Sequence, residues 1–316
     1  MHTPYRIFPA HRLPGLQTFP GQPDSDDCHM NRSTFFRFAA PSIVIMTLLM
    51  LVPLLMAIWL GMHFMTYNNV RDPQFVGLRN YVDVLTDPRF WQSYRFTLVY
   101  MATVIPATIV VGFSIALLLD QVSGFARGVY LSIFLLPFII VPIVGTLMYK
   151  QLFEPSGLFT WILRNFFHYK FRYNAFTVKA LIVLYGIWYV SPFPMVTYFA
   201  GLQTLPQDLI EAASIDGASR WQKIRHIIIP HVSSLTIMIL LISIMDAYRV
   251  FDSVFVLTEL NPIYKADTIM TYTFQTAISV QRLGKANAMA VLTVVGVMIF
   301  LIPNLIQSYK QQIEER

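Results

Sequence analysis

Ser243, Asp246 and Arg249 recur every third residue through an otherwise apolar run, so a hydroxyl, a carboxylate and a guanidinium fall along one face of a helix. Such groups are costly in lipid, and they mark either a polar pathway or a pair that neutralises itself, here Asp246 with Arg249. A second constellation is "EAASIDGASRWQKIRHIIIP" at residues 211 to 230, where Glu211, Ala212, Ala213, Asp216, Gly217 and Ala218 precede the basic Arg220, Lys223 and Arg225. Its chemistry is recognition: small residues let a partner approach the backbone, while Leu209, Ile210 and Trp221 offer apolar anchors. A helix resting on lipid headgroups fits the same residues. No G-x-x-x-x-G-K-[ST], H-E-x-x-H or G-x-S-x-G occurs in the sequence. The chain therefore has no motif for cradling nucleotide phosphates and no catalytic constellation, and no cofactor or metal of its own is expected.

The elements that must carry these residues are membrane helices. The chain is 55% hydrophobic and 13% charged over 316 residues, with a mean hydropathy of +0.54, and this excludes an ordinary soluble globule. A span needs about 20 apolar residues. Six stretches qualify, at about 39–61, 96–119, 129–149, 180–202, 227–257 and 286–306. Their length and helical period exclude barrel strands, and an all-α integral membrane fold with six spans follows. Six spans place both termini on one side. Residues 1–34 contain seven prolines and glycines and read as a flexible tail, leaving 35–316 as the transmembrane domain. The single cysteine, Cys28, excludes a disulfide within the chain.

Between the fourth and fifth spans, residues 203–230 carry dense local instructions. Pro206 suits the first position of a helix, with Asp208 and Glu211 near its positive end. Gly217 can adopt the left-handed conformation that closes that helix, and Ser219 can cap the next. In the fourth span, Pro192 and Pro194 are expected to kink the helix and free carbonyls near Tyr189 and Ser191, which, flanked by aromatics, favours a cavity wall.

The spacing of Glu211-Ala212-Ala213, three residues, Gly217, nine residues, Ile227, then Ile229-Pro230 resembles the EAA loop of ABC importer permeases, and "EAASIDGAS" resembles its form in the carbohydrate class. The resemblance extends over almost the whole chain after residue 35, through "FVGLRNYVDVLTDPRFWQSYRFTLVY" (75–100), "IALLLDQ" (115–121), "LLPFIIVPIVGTLMYKQLFEPSGLFTWIL" (135–163) and "DAYRVFDSVFVLT" (246–258). It departs at "ELNPIYK" (259–265), where the family often has a Gly-Gly-Gly-Pro loop.

The resemblance implies a type I ABC importer permease arrangement in a bacterial inner membrane, with the 203–230 loop and both termini cytoplasmic. It implies a second permease chain, two ATPase subunits that bind ATP and magnesium and grip the loop, an outer solute-binding protein, and a carbohydrate-like solute; no nucleic acid is involved. Sugar contacts in relatives match Tyr189, Val190 and Phe193 and Ser243, Ala247 and Val250 here, several of them apolar. Asp246 and Arg249 join this pathway, and Arg249 would suit an anionic solute. Charge does not favour the orientation: thirteen of the 23 lysines and arginines fall outside, against the positive-inside rule. An ion-coupled secondary transporter, an anchor subunit without its own path and an intramembrane enzyme remain the alternatives; the first would usually show internal repeats and more spans, and the last would need a buried acid, base or metal cluster.

Overall fold

The computed structural model describes residues 32–314, with side chains from 38 to 310. Cys28 and residues 1–31 of the expected tail lie outside the described residues, and Arg32–Thr34 already belong to a helix. Residues up to Pro53 form one unit and those from Leu54 a second. Helix α1 (Arg32–Gly61) is apolar around its whole circumference from Phe38 onward, as a lipid-embedded helix must be.

A two-stranded hairpin follows, β1 (His63–Phe64) antiparallel to β2 (Gln74–Phe75), and then the short α2 (Arg79–Leu85). Helix α3 (Pro88–Asp120) starts where the Asp87 side chain accepts a hydrogen bond from the Arg89 N–H at 2.9 Å and Pro88 takes the first position. Its 33 residues reach about 50 Å. The chain continues through α4 (Gly124–Ile139), α5 (Pro142–Phe153), α6 (Leu158–Phe167), α7 (Ala175–Val190) and α8 (Pro192–Leu202). Next come α9 (Gln207–Ile215), α10 (Arg220–Lys223), a π-turn at Ile224–Ile228, α11 (Ile229–His231) and α12 (Ser233–Tyr248). The last helices are α13 (Asp252–Thr258), α14 (Ile269–Ile278) and α15 (Leu283–Glu314).

Hydrogen bonds fix which ends lie together. Gln203 donates to Asp120 at 2.8 Å and the Thr204 hydroxyl meets His231 at 3.1 Å, so the end of α3, the end of α8 and the approach to α12 share one end, the loop end. At the far end, Lys285 donates to Asp87 at 2.6 Å and Asn80 to the Gly61 carbonyl at 2.9 Å. Since α4 begins beside the end of α3 and α7 must run back from the far end, residues 124–174 have to cross.

They do not cross as one straight helix. The stretch expected as a third span at 129–149 is broken at Ile140–Val141, and its two sides meet at 99°. Pro142 has no N–H for the Phe138 carbonyl and drives Val141 into an extended conformation (φ −59°, ψ 131°). The expected fifth span at 227–257 is interrupted twice, by the π-turn with Pro230 before α12 and by Arg249–Phe251 after it. Five helices or continuous pairs are long and apolar enough to cross unaided, and the bent pair makes six.

Helix α3 is the central strut, packing along α7, α8, α12 and α14. It comes close to the α8 backbone at Gly112, where a Cβ would lie 2.8 Å from the Met195 nitrogen, the small-residue device by which membrane helices gain van der Waals contact. Two apolar clusters result, one around Tyr100, Val104, Ile182, Tyr248 and Ile269 and one toward the loop end around Ala116, Tyr198 and Ile239. Buried threonines satisfy their hydroxyls locally, as Thr97 does on the Ser93 carbonyl at 3.0 Å.

Candidate functional site

The loop between α8 and α12 is a helix, a tight turn and a second helix. Pro206 precedes α9 as its cap (φ −59°, ψ 125°), one position earlier than expected, and Asp208 lies in the first turn while Glu211 lies mid-helix. Gly217 takes φ +79°, which only glycine adopts without steric cost. The Ala218 N–H then reaches back to the Ala213 carbonyl at 2.9 Å, and the Asp216 N–H to Ala212 at 3.0 Å, so the last carbonyls of α9 are satisfied. Ser219 and Gln222 form a reciprocal capping box at the start of α10. Lys223 closes the unit by donating to the Ser214 hydroxyl at 2.7 Å.

This rigid unit buries none of its own side chains. Glu211, Ala212, Asp216 and Gly217 are exposed, Ala213 and Ala218 half-buried. Ile215 is 87% and Trp221 65% exposed, so the loop presents apolar anchors with small residues between them. Among the described residues, Glu211 makes no ion pair, and its carboxylate is available to a partner.

The second site is a cavity of about 440 Å³ between α3, α7, α8, α12 and the breaks beside them. Tyr189, Val190, Phe193, Ser243, Asp246, Ala247, Arg249 and Val250, spread over 62 positions in the sequence, all line it. Three discontinuities converge on it: Ile140–Val141, Ser191 and Arg249–Phe251. Each is held by a side chain. The Tyr185 hydroxyl donates to the Pro142 carbonyl at 3.0 Å, Ser191 to Ile187, and Thr268 to the Val250 carbonyl at 2.9 Å.

The prolines act one position away from where the sequence suggested. Pro192 and Pro194 have no N–H to give the carbonyls of Trp188 and Val190, whereas the Ser191 carbonyl is engaged by the Met195 N–H at 3.1 Å. Tyr189 stacks on Tyr185 with ring centroids 5.8 Å apart. Asp246 and Arg249 pair at 2.7 Å. With Asp252 also in the wall, the lining carries one cation against two carboxylates and does not favour an anion. Ser243 is 3% exposed and its hydroxyl has no hydrogen-bond partner among the described residues, where buried polar groups are normally paired.

Sequence reasoning missed Tyr100 and Thr108 of α3, Tyr185, Phe138, Pro142 and Asp252, which complete the wall. Pro142 carried a usable signal, a proline in the middle of an apolar run. Tyr100 and Thr108 carried none, because only packing shows which face of α3 turns inward.

At the far end, Asp87 gathers the Arg89 N–H, the Tyr272 hydroxyl and the Lys285 ammonium, the last two at 2.6 Å. Burial pushes its carboxyl up, but these hydrogen bonds and the Lys285 charge outweigh that and hold it below the usual carboxylate range. Arg89 pairs with Asp267 at 2.7 Å and lies 4.9 Å over the Tyr272 ring.

Comparison with known proteins places this arrangement. Residues 30–312 match the family described as binding-protein-dependent transport system inner membrane component. The trehalose/maltose transport system permease protein MalF of Thermococcus litoralis is 31% identical over 266 residues, 83% of this chain and 89% of that one. Among solved structures, a bacterial ABC transporter involved in the import of the acidic polysaccharide alginate superposes with a TM-score of 0.75 at 20% identity, over 87% of this chain and 95% of that chain. The bacterial alginate ABC transporter in complex with alginate pentasaccharide-bound periplasmic protein gives 0.73 at 19% identity, over 85% and 92%. At these identities the two structures speak for the fold.

Proposed function

The chain belongs to the binding-protein-dependent transport system inner membrane component family, and we propose that it is the transmembrane subunit of an ATP-driven importer that moves a carbohydrate-like solute by alternating access across a bacterial inner membrane. The observation that carries this reading is the pairing of two features on one set of helices: an exposed, internally braced helix–turn–helix at one end, and a cavity enclosed where the same spans are broken.

The loop lies in the cytoplasm, and with it both termini. An ATPase subunit takes α9 into a groove, with Glu211 pairing a basic group of that partner and Gly217 setting the angle between α9 and α10. Ala212, Ala213 and Ala218 allow close backbone approach, and Asp216 completes the contact surface. The sequence has no phosphate-binding loop, so ATP and magnesium bind the two ATPase partners. A second permease chain completes the pore, and a solute-binding protein docks on the far face, as the alginate transporter engages its periplasmic protein.

Closing of the ATPase pair draws the loops together and favours the outward-open arrangement of the spans; hydrolysis restores the inward one. Each step is a population shift driven by differential affinity. In the cavity, Tyr189, Phe193 and Tyr185 supply aromatic faces for the C–H side of a sugar ring. The free Ser243 hydroxyl and the Asp246–Arg249 pair supply hydrogen bonds to its hydroxyls. The trehalose/maltose name of the relative at 31% identity supports that solute class, and the internally neutralised Arg249 supports a neutral solute over an anionic one.

The test is ATPase activity of the reconstituted complex with and without binding protein and candidate sugars, comparing the native chain with Glu211→Lys and Gly217→Asp. Stimulation by loaded binding protein that disappears in both variants, with assembly intact, is the expected result. Stimulation and uptake indifferent to both changes would return the loop to the membrane surface and remove the case for an ATP-coupled importer.

A further inference from the structure

The far-end cations that defeat the positive-inside rule are not spread evenly, and three of them share a pocket. A cavity of about 240 Å³, distinct from the solute cavity, is lined by Arg79 and Asp83 of α2, Asn80, and Arg282 and Lys285 at the start of α15, with the β1–β2 hairpin as its floor. The frame is rigid. Asn80 donates to the Gly61 and His63 carbonyls, each at 2.9 Å, Gly284 N–H bonds the Met65 carbonyl at 3.1 Å, and Arg282 bridges to Thr66.

Lys285 is committed to Asp87. Arg79 and Arg282 are exposed and, among the described residues, form no ion pair with Asp83 or any other carboxylate. Two guanidiniums held beside one pocket, unneutralised, suit an anion that each can grip with paired N–H groups. The pocket lies where α3 and α15 begin, hence at the membrane boundary. Phe64, 42% exposed, lines the pocket, and the neighbouring surface of α2 is apolar and open, with Leu78 62% and Val82 55% exposed. A soluble anion needs no such surface, whereas a lipid brings both a phosphate and acyl chains.

We infer that this pocket binds the phosphodiester headgroup of an anionic phospholipid from the leaflet opposite the loop, with Arg79 and Arg282 on the phosphate and Phe64 with the exposed apolar face of α2 against the chains. This does not depend on what the solute cavity carries, and it gives part of the far-end cation surplus a ligand. Docked there, the lipid adds a further tie between α2, the hairpin and the head of α15, which already pack together through Tyr81 and Val84 against Ala288 and Met289.

Native mass spectrometry of the full chain in a zwitterionic detergent, titrated with phosphatidylglycerol, phosphatidylcholine, glycerol phosphate or inorganic phosphate, tests it. Phosphatidylglycerol should be retained in preference to phosphatidylcholine. Arg79→Gln and Arg282→Gln should each weaken that retention roughly fivefold, the effect of about one basic residue near a charged lipid surface. Asp83→Asn should strengthen it, and Lys170→Gln, on an exposed far-end loop outside the pocket, should leave it unchanged. Equal retention of the two lipids, an equal loss with Lys170→Gln, or glycerol phosphate or inorganic phosphate binding as tightly as the lipid would each overturn the assignment. Should the arginine variants fail to fold, the Asp83→Asn variant decides alone: no gain in retention sinks the site.

Discussion

Asp87 and Gly217 are single residues on which whole segments turn, and they can be tested as such. Asp87 caps α3 and ties it to α14 through Tyr272 and to α15 through Lys285. Because its folded pKa lies below the unfolded one, near 3.9, its contribution is fully present above about pH 4 and is lost as the pH falls through the folded value. Thermal unfolding in detergent should show Asp87→Asn less stable than the native chain at pH 7 by about 2 kcal/mol, since Lys285 is left mostly buried beside a neutral group. The gap should narrow below pH 4; a gap independent of pH would mean that the carboxylate's charge contributes nothing. At Gly217 the φ of +79° makes Gly217→Ala cost about 1 kcal/mol locally. A titration of the partner ATPase onto the variant should show weaker binding with the membrane helices unaffected.

At the scale of elements, the broken helices are what build the cavity between α3, α7, α8 and α12, and they divide what the sequence could and could not reveal. The loop was legible almost to the residue, because caps, glycine and proline act within a few positions of themselves. Tyr189, Phe193, Ser243 and the other pathway positions in α7, α8 and α12 were reached through a family pattern, and their common cavity follows from packing. The break at Ile140–Val141 does not show in hydropathy, which is blind to direction, since "FIIVP" is as apolar as any span; its signal was Pro142. Pro142→Ala should let α4 and α5 approach a continuous helix, displace the Tyr185 hydroxyl from its carbonyl partner and lower solute uptake at least tenfold with the complex still assembled. Uptake at the native rate would show that the bend is incidental. Tyr189→Ala, which removes one stacking face, should weaken solute affinity by about 1 kcal/mol in an equilibrium binding measurement and leave basal ATPase activity alone.

The unit from Leu54 onward has the loop at one end and the Asp87–Lys285 network and hairpin at the other. The six crossings of the whole chain can be checked directly, because the natural chain has one cysteine. On a Cys28→Ser background, Ile215→Cys should react with an impermeant thiol reagent only from the cytoplasm and Asp72→Cys only from outside; labelling of both from one side would break the crossing count. Residues beside all three chain breaks line one cavity between these ends. A rod jointed midway behaves as a lever on a fulcrum: displacement at one tip appears with opposite sign at the other, and least travel occurs at the joint. A passenger seated at the joint can keep its grip while the doors on either side exchange, so the same few side chains can serve both the arrival and the departure of the cargo.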